Sequence, residues 1–250
     1  MTGGAGNVGS HIVDAAVAAG AREVVALDAL VRGVPENLAG AVRTGKARLV
    51  EIDIRDREAV RANLAGADFV FHQAALRWTR CQELPRECHE VMVDGTFNVL
   101  EAAAEANVRR VVLASSAVVY ADTARLPIDE GKPLTLFGDG SASADFVYIA
   151  DVVRANLLAC EARTTDAIVN VCSGVETRMR DLATLLLEVT GSGVGMEFKP
   201  EPPRALPARR FGDPRRAERE LGFRAETKLA DGVRRLVEWR REALATAAGR

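Results

Sequence analysis

Tyrosine and lysine are scarce in this chain of 250 residues, which has two Tyr (Tyr120, Tyr148) and four Lys (Lys46, Lys132, Lys199, Lys228). Neither Tyr is followed by Lys four positions on, where Ala124 and Val152 stand instead. A Tyr–Lys pair sharing one helix face at that spacing is therefore excluded everywhere in the chain. No sign of charge is in excess: 33 Lys+Arg oppose 35 Asp+Glu, a net charge of −2. That balance argues against a nucleic-acid binder led by charge. No apolar run approaches the ~20 residues of a membrane span. The opening Met-Thr-Gly-Gly-Ala-Gly has neither the charged nor the apolar region of a secretory signal. The four Cys (Cys81, Cys88, Cys160, Cys172) form no C-x-x-C pair. Cys81, Cys88 and His89 come nearest to a cluster, yet no His lies at metal-ligand spacing, so isolated reduced thiols and no metal site are expected. Without a signal peptide, the expected compartment is the reducing cytoplasm.

What is present is ordinary for a soluble globular protein: 48% hydrophobic and 27% charged residues. The first half alternates two patterns. Residues 23–28 (EVVALD), 47–53 (ARLVEID), 68–74 (DFVFHQA) and 110–115 (RVVLAS) are short and apolar at nearly every position, as in parallel strands buried on both faces. Helical stretches separate them at 10–19, 56–64 and 85–107, with Asp56 as N-cap and Gly66 as stop for the middle one. In the long stretch Val93, Phe97, Leu100 and Ala104 share one helical face. This alternation predicts an α/β fold with a doubly wound parallel sheet. The second half is less regular. Residues 134–137, 168–171 and 196–200 read as strands, 180–190 and 229–247 as amphipathic helices. Pro200, Pro202, Pro203 and Pro207 mark an irregular loop. The many Arg beyond it alternate with Glu and Asp, as on a solvated helix face.

The strongest motif comes first: Thr2-Gly3-Gly4-Ala5-Gly6-Asn7-Val8-Gly9, with glycines at 3, 6 and 9 running into a helix. Such glycines allow a tight turn, a close backbone approach to a pyrophosphate, and close packing of helix on sheet. The phosphates then meet the free N–H groups and dipole of the helix N-terminus. Asp28 ends the next strand 19 positions after Gly9, where an acid hydrogen-bonds an adenosine ribose diol and repels a 2′-phosphate. NAD is expected over NADP, a preference that Arg32 weakens.

At this point the sequence resembles a known family. TGGAGNVGSHIV, DALVRG (28–33), FHQAA (71–75), VDGTFNVLEAA (93–103) and SSAVVY (115–120) are similar to the extended short-chain dehydrogenase/reductases. FGDGSASADFVYIADVVRANLLA (137–159), NVCSGVET (170–177) and the LGF-to-LVEW tail (221–239) are similar to their nucleotide-sugar epimerase/dehydratase branch, UDP-glucose 4-epimerases above all. The resemblance is collinear over nearly the whole chain. It implies a Rossmann-like NAD-binding domain at 1–132, interleaved with a smaller nucleotide-sugar-binding lobe at 133–250. It implies that Gly3, Gly6 and Gly9 hold the NAD pyrophosphate, with backbone N–H groups from Asn7 and Val8. Asp28 would hold the adenosine ribose, Asp53 and Ile54 would flank the adenine, and Ala74 and Ala75 would line the nicotinamide side. Ser116 matches the catalytic Ser/Thr that hydrogen-bonds the sugar hydroxyl. Tyr148 falls in the nucleotide-contact segment and Arg204 near an Arg that contacts the diphosphate; a packed core Tyr and a solvated loop Arg are the alternatives. The implied substrate is a nucleotide sugar, a UDP-hexose, with transient hydride transfer at sugar C4. A homodimer through the helix at 85–107 is implied as well.

The departures bear on activity. In the family a Tyr-x-x-x-Lys pair supplies the base, its phenolate stabilised by the ammonium; here it is absent, and Ser116 alone cannot replace it, because an alkoxide at neutral pH needs an adjacent base. The chain passes from PIDEGKP (127–133) directly into LTLFGDG, where relatives carry a helix, a strand and a substrate loop. Ala144 stands where Arg is common, and Met92 where Asn is common. Only Met1 precedes Thr2, so the first strand of the sheet is expected to be missing, through a start site placed downstream or a truncated product, leaving neighbouring strands without ladder partners. His72 and Asp129 are conceivable substitute bases. The expectation is a nucleotide-sugar epimerase/dehydratase of impaired turnover; the alternatives are a non-catalytic relative that binds NAD or a protein partner, and a remnant that folds poorly.

Overall fold

The structure, a computed structural model, describes residues 1–116, 134–200 and 209–248. It contains two compact units: residues 1–114 with 152–163, and residues 115–151 with 164–250.

The first unit is built on a parallel sheet. Strand β1 (Val24–Asp28) pairs with β2 (Ala47–Glu51), and β3 (Phe69–His72) pairs with β4 (Arg110–Leu113). Residues 1–4 lie between the two pairs. Thr2 bridges in parallel to both Leu27 and His72. Leu27 N–H donates to Met1 O at 2.7 Å, Thr2 N–H to Phe71 O at 3.0 Å and Gln73 N–H to Thr2 O at 3.1 Å. The C-terminal halves of β1 and β3 thus find ladder partners in these first residues, where none were expected.

Alternation along β1 sends neighbouring side chains to opposite faces. Ala26 joins a core with Ala5, Val13, Leu38, Ala41 and Ala47; Leu27 joins another with Ile54, Val60, Val70, Val91 and Val99. Helices α1 (Asn7–Ala18) and α2 (Ala39–Arg43) supply the first core, and α3 (Arg57–Leu64) and α6 (Thr96–Glu105) the second. Two cores on two faces make the sheet doubly wound, as the strand pattern predicts. Asp56 caps α3, accepting from Ala59 N–H at 3.0 Å.

Two expectations in this unit are corrected. The stretch 85–107 is not one α-helix: α5 (Pro85–His89) passes through a π-helical turn (Glu90–Gly95) into α6. Gly95 sits where a Cβ would come within 2.7 Å of Ile54 Cγ1, so the wider turn fits the bare backbone against the second core. Cys81 and Cys88 are not isolated thiols but a disulfide, with Cα atoms 4.9 Å apart. A further helix, α4 (Trp78–Glu83), folds back on α5 through Leu84 and brings the two sulfurs together, and an Arg80–Glu87 ion pair at 2.8 Å closes the same hairpin. Cys160 and Cys172 are free, and burial pushes the Cys172 thiol up to about 11.

The second unit is assembled from short pieces. Strand β5 (Leu134–Phe137) pairs in parallel with β8 (Met196–Lys199). Strand β6 (Ser143–Asp145) lies between β7 (Glu176–Arg178), antiparallel, and β9 (Arg209–Arg210), parallel. Helices α8 (Met179–Thr190), α9 (Arg215–Leu221) and α10 (Leu229–Ala248) complete it, with Phe223 fully buried. Residues 168–171, expected as a strand, form none; Ile168 is 73% exposed and has no sheet to enter. Helix α7 (Ile149–Glu161) begins in this unit and continues into the first. Several exposed Arg residues after 209 pair with neighbouring acids, Arg215 with Asp213 and Arg234 with Asp231, each at 2.5 Å, as the alternating charges predict. No described helix is long and apolar enough to cross a membrane.

Candidate functional site

The glycine motif folds into a cradle at the C-terminal edge of the first unit's sheet. Gly3 has φ +66°, a left-handed conformation costly for other residues, and a Cβ there would lie 2.8 Å from Ala74 N. At Gly9 a Cβ would fall 2.0 Å from Gly3 O, so α1 rests directly on the turn. Gly6 differs: a Cβ there would meet only Gly3 O, at 3.2 Å, and otherwise point into open space. Gly6 is also the N-cap of α1 and gives no side-chain cap. The first backbone N–H groups of α1, on Asn7, Val8 and Gly9, have no acceptor within the helix. Together these make a hollow floored by N–H groups at a positive helix end, which fits a pyrophosphate.

Asp28 stands beside it. One carboxylate oxygen accepts from Ala5 N–H and the other from Leu30 N–H, both at 2.9 Å. These two bonds fix the carboxylate's plane and leave each oxygen a further lone pair. Asp53 accepts from the Arg55 side chain at 2.6 Å, which holds its carboxyl below the usual range. Ile54, read as an adenine neighbour, turns its side chain into the second core; its carbonyl accepts from Asn98 Nδ2 at 3.0 Å. Ala74 N–H lies 3.4 Å from Thr2 Oγ1, and Ala75 is exposed.

Beneath the cradle, His72 is 3% exposed and held on both sides by hydroxyls, Thr2 Oγ1 at 2.6 Å from Nδ1 and Thr96 Oγ1 at 3.0 Å from Nε2. Burial pushes its pKa down to about 4, so the ring is neutral at physiological pH. A neutral imidazole packed between two threonines is a strut, and its buried position does not suit a base for a sugar.

In the second unit, Ser116 is exposed just beyond β4. Tyr148 is half-buried, with the Arg235 guanidinium 5.5 Å from its ring centroid and Gly232 packed against the ring. Arg204, Tyr120 and Asp129 lie outside the described residues. One residue that sequence reasoning passed over is Arg210. It sits on β9 in register with Ala144, and its Nε is buried without a hydrogen-bond partner. Burial lowers its pKa from the ordinary guanidinium value. Its signal in the sequence was faint, because it is one Arg among many that pair with acids.

The profile of the NAD dependent epimerase/dehydratase family matches residues 1–132 and 125–172. The chain belongs to that family. Among relatives of this epimerase/dehydratase chain, a UDP-glucose 4-epimerase of Mycolicibacterium smegmatis is 30% identical, covering 96% of this chain and 97% of the relative. That alignment runs over 311 positions, more than the chain's 250 residues, so part of the relative has no counterpart here. Among solved structures, UDP-glucose 4-epimerase of Thermotoga maritima with UDP-glucose superposes at TM-score 0.86 and 25% identity, over 97% of this chain and 98% of that one. The dTDP-glucose 4,6-dehydratase of Streptomyces venezuelae with NAD and TYD bound gives 0.85 at 27% identity, over 96% of each chain. This family member therefore has the Rossmann fold of these epimerases and dehydratases, though its sequence holds no Tyr-x-x-x-Lys pair.

Proposed function

We propose that this chain binds NAD in the cradle of its first unit and takes a nucleotide sugar, a UDP-hexose, as substrate, with turnover impaired by the absent Tyr-x-x-x-Lys pair. The observation that carries the reading is the cradle: uncapped N–H groups at Asn7, Val8 and Gly9, with Asp28 fixed beside them. Gly3, Gly6 and Gly9 give the pyrophosphate its room, Asp28 accepts from the ribose diol, Asp53 and the Ile54 backbone flank the adenine, and Ala74 and Ala75 line the nicotinamide side. NAD supplies a hydride acceptor at the sugar. Arg210, with its unpartnered buried Nε, is the group best suited to a substrate phosphate, and Ser116, Tyr148 and Arg204 belong to the same substrate role. The relatives' UDP-sugar and dTDP-glucose chemistry supports this substrate class.

Titration calorimetry tests the reading. NAD+ is expected to bind, and Asp28→Ala to weaken it about tenfold, the loss of one charge-assisted hydrogen-bonding group. No heat at millimolar NAD+ overturns it. Slow interconversion of UDP-glucose and UDP-galactose, lost in Ser116→Ala, supports the enzyme; none, with NAD+ still bound, favours the non-catalytic NAD binder, which the absent pair also favours.

The pairing of two copies through residues 85–107 belongs to the same proposal. Val93 is 52% and Phe97 64% exposed on one helical face, an apolar stripe suited to a partner. Light scattering is expected to give a dimer mass for the wild type and a monomer mass for Phe97→Glu.

A further inference from the structure

Helices α4 and α5 form a hairpin that no hydrophobic core holds. They are six and five residues long, and neither contributes a buried residue. From residue 77 to residue 90 nothing is buried; the anchors lie outside, at Leu76, packed on the second core, and at Val91, within it. Trp78 and Leu84, the large apolar residues of the hairpin, are each 46% exposed. Such helices do not persist by themselves, since isolated helices are marginal in water below about 12–15 residues. Among the described residues two side-chain ties fold α4 back on α5. One is the Arg80–Glu87 ion pair, which is partly exposed and therefore weak. The other is the Cys81–Cys88 disulfide. The covalent bond is thus what keeps the hairpin closed. Both of its cysteines are partly exposed, so a thiolate in solution can reach the sulfurs.

The hairpin continues the loop that borders the cradle. A Cβ on Gly3 would lie 2.8 Å from Ala74 N, and Ala74 N–H lies 3.4 Å from Thr2 Oγ1, so the chain leaving β3 rests against the glycine turn. Two residues on, Leu76 N–H donates to Met92 Sγ at 3.2 Å, which ties the start of the hairpin to the π-helical turn beyond its end. With the disulfide closed, residues 75–77 run between two fixed points, the glycine turn and the clipped helices. With it broken, the stretch 77–90 is held at its ends alone, and the order of the loop beside the cradle falls with it.

We propose that Cys81–Cys88 is a reversible redox clip: a dithiol opens it, the α4–α5 hairpin loosens, and the adjoining cradle holds its dinucleotide less tightly. The last of these consequences rests on the NAD reading; the clip itself does not. The chemistry is thiol–disulfide exchange. A thiolate of the dithiol attacks one sulfur, and a mixed disulfide forms as the Cys81–Cys88 bond breaks. The second thiol of the reagent then attacks the mixed disulfide and displaces the protein sulfur. The chain gains two electrons and two protons as a pair of thiols, and the dithiol leaves as a disulfide. The clip is closed where disulfides persist and open where thiol reductants are maintained.

The full chain, oxidised or reduced with dithiothreitol and then freed of reagent, supplies the test. Thiol titration of the denatured protein is expected to count two thiols before reduction and four after it. Trypsin cleavage after Arg86, mapped by mass spectrometry, should be at least about tenfold faster in the reduced chain. Calorimetry should find NAD+ at least about threefold weaker in the reduced chain, with reoxidation restoring both values. The double variant Cys81→Ser, Cys88→Ser should behave as the reduced wild type and ignore dithiothreitol, with a thermal melt to check that it is folded. Four thiols after oxidation, equal NAD+ affinity in the two states, or a dithiothreitol effect that survives in the double variant overturns the proposal and leaves the NAD reading standing. Absence of NAD+ binding in both states overturns the NAD reading instead; equal cleavage rates after Arg86 then overturn the clip as well, and a faster rate on reduction upholds it.

Discussion

The two units hold their polar groups in place with opposite materials. In the first, the cradle sits on a sheet whose two faces are both covered, and its polar atoms are tied to backbone. Asp28 is fixed by two amides, and Thr2 and His72 are locked together under the turn. In the second, the strands are two to four residues long and many anchors are exposed ion pairs such as Arg209–Glu176 at 2.7 Å. Where the first unit buys geometry with burial, the second uses charge in water, which is weak and easily screened. Mutations in the first unit should therefore be costly and specific, and those in the second mild.

Gly9→Ala tests this hardest. The new Cβ would fall 2.0 Å from Gly3 O, a backbone atom that cannot step aside. A loss of about 3 kcal/mol in stability is expected from such overpacking, with NAD+ binding abolished; chemical denaturation and titration check both. A melting temperature within a degree of wild type would mean that the cradle is looser than its contacts say.

His72 comes next. Its folded pKa of about 4 lies below the free value of 6.5, so the unfolded chain binds the proton more tightly. Its contribution is therefore full above pH 6.5 and drains away as pH falls towards 4, by about 3 kcal/mol in all. His72→Gln, which keeps hydrogen-bonding capacity, should flatten this part of the stability–pH curve; an unchanged curve would remove His72 from the strut.

Glu176→Gln, in the second unit, should do least. Arg209, then Ser143, hold the Glu176 carboxyl down to about 2, yet both partners of the ion pair are solvent-exposed. Its melting temperature should match the wild type within scatter at moderate salt. A drop as large as that of Gly9→Ala would erase the contrast between the units.

The same contrast explains what could be read in advance. Strands β1 to β4 were legible because parallel strands buried on both faces leave uninterrupted apolar runs. The cradle was legible because its glycines, its helix and Asp28 are contiguous or one crossover apart. The π-turn at Glu90–Gly95 was invisible: Val93, Phe97 and Leu100 keep a helical period across it, and the cause is Gly95 against Ile54, a contact between residues 41 positions apart. The Cys81–Cys88 bond was missed because it depends on a reversal at Leu84 between two short helices that no periodicity marks. Residues 168–171 looked like a strand through β-branched composition alone, without a neighbour to pair with. Arg210 was hidden by its surroundings, since only burial distinguishes it from the solvated Arg nearby.

Thr2 gives backbone bonds to β3, bridges to β1, and hands the chain directly to Gly3 and Gly4. The cradle is therefore anchored in the middle of the sheet, and a dinucleotide held there, as proposed, would make occupancy and cooperative unfolding two readouts of one structural unit.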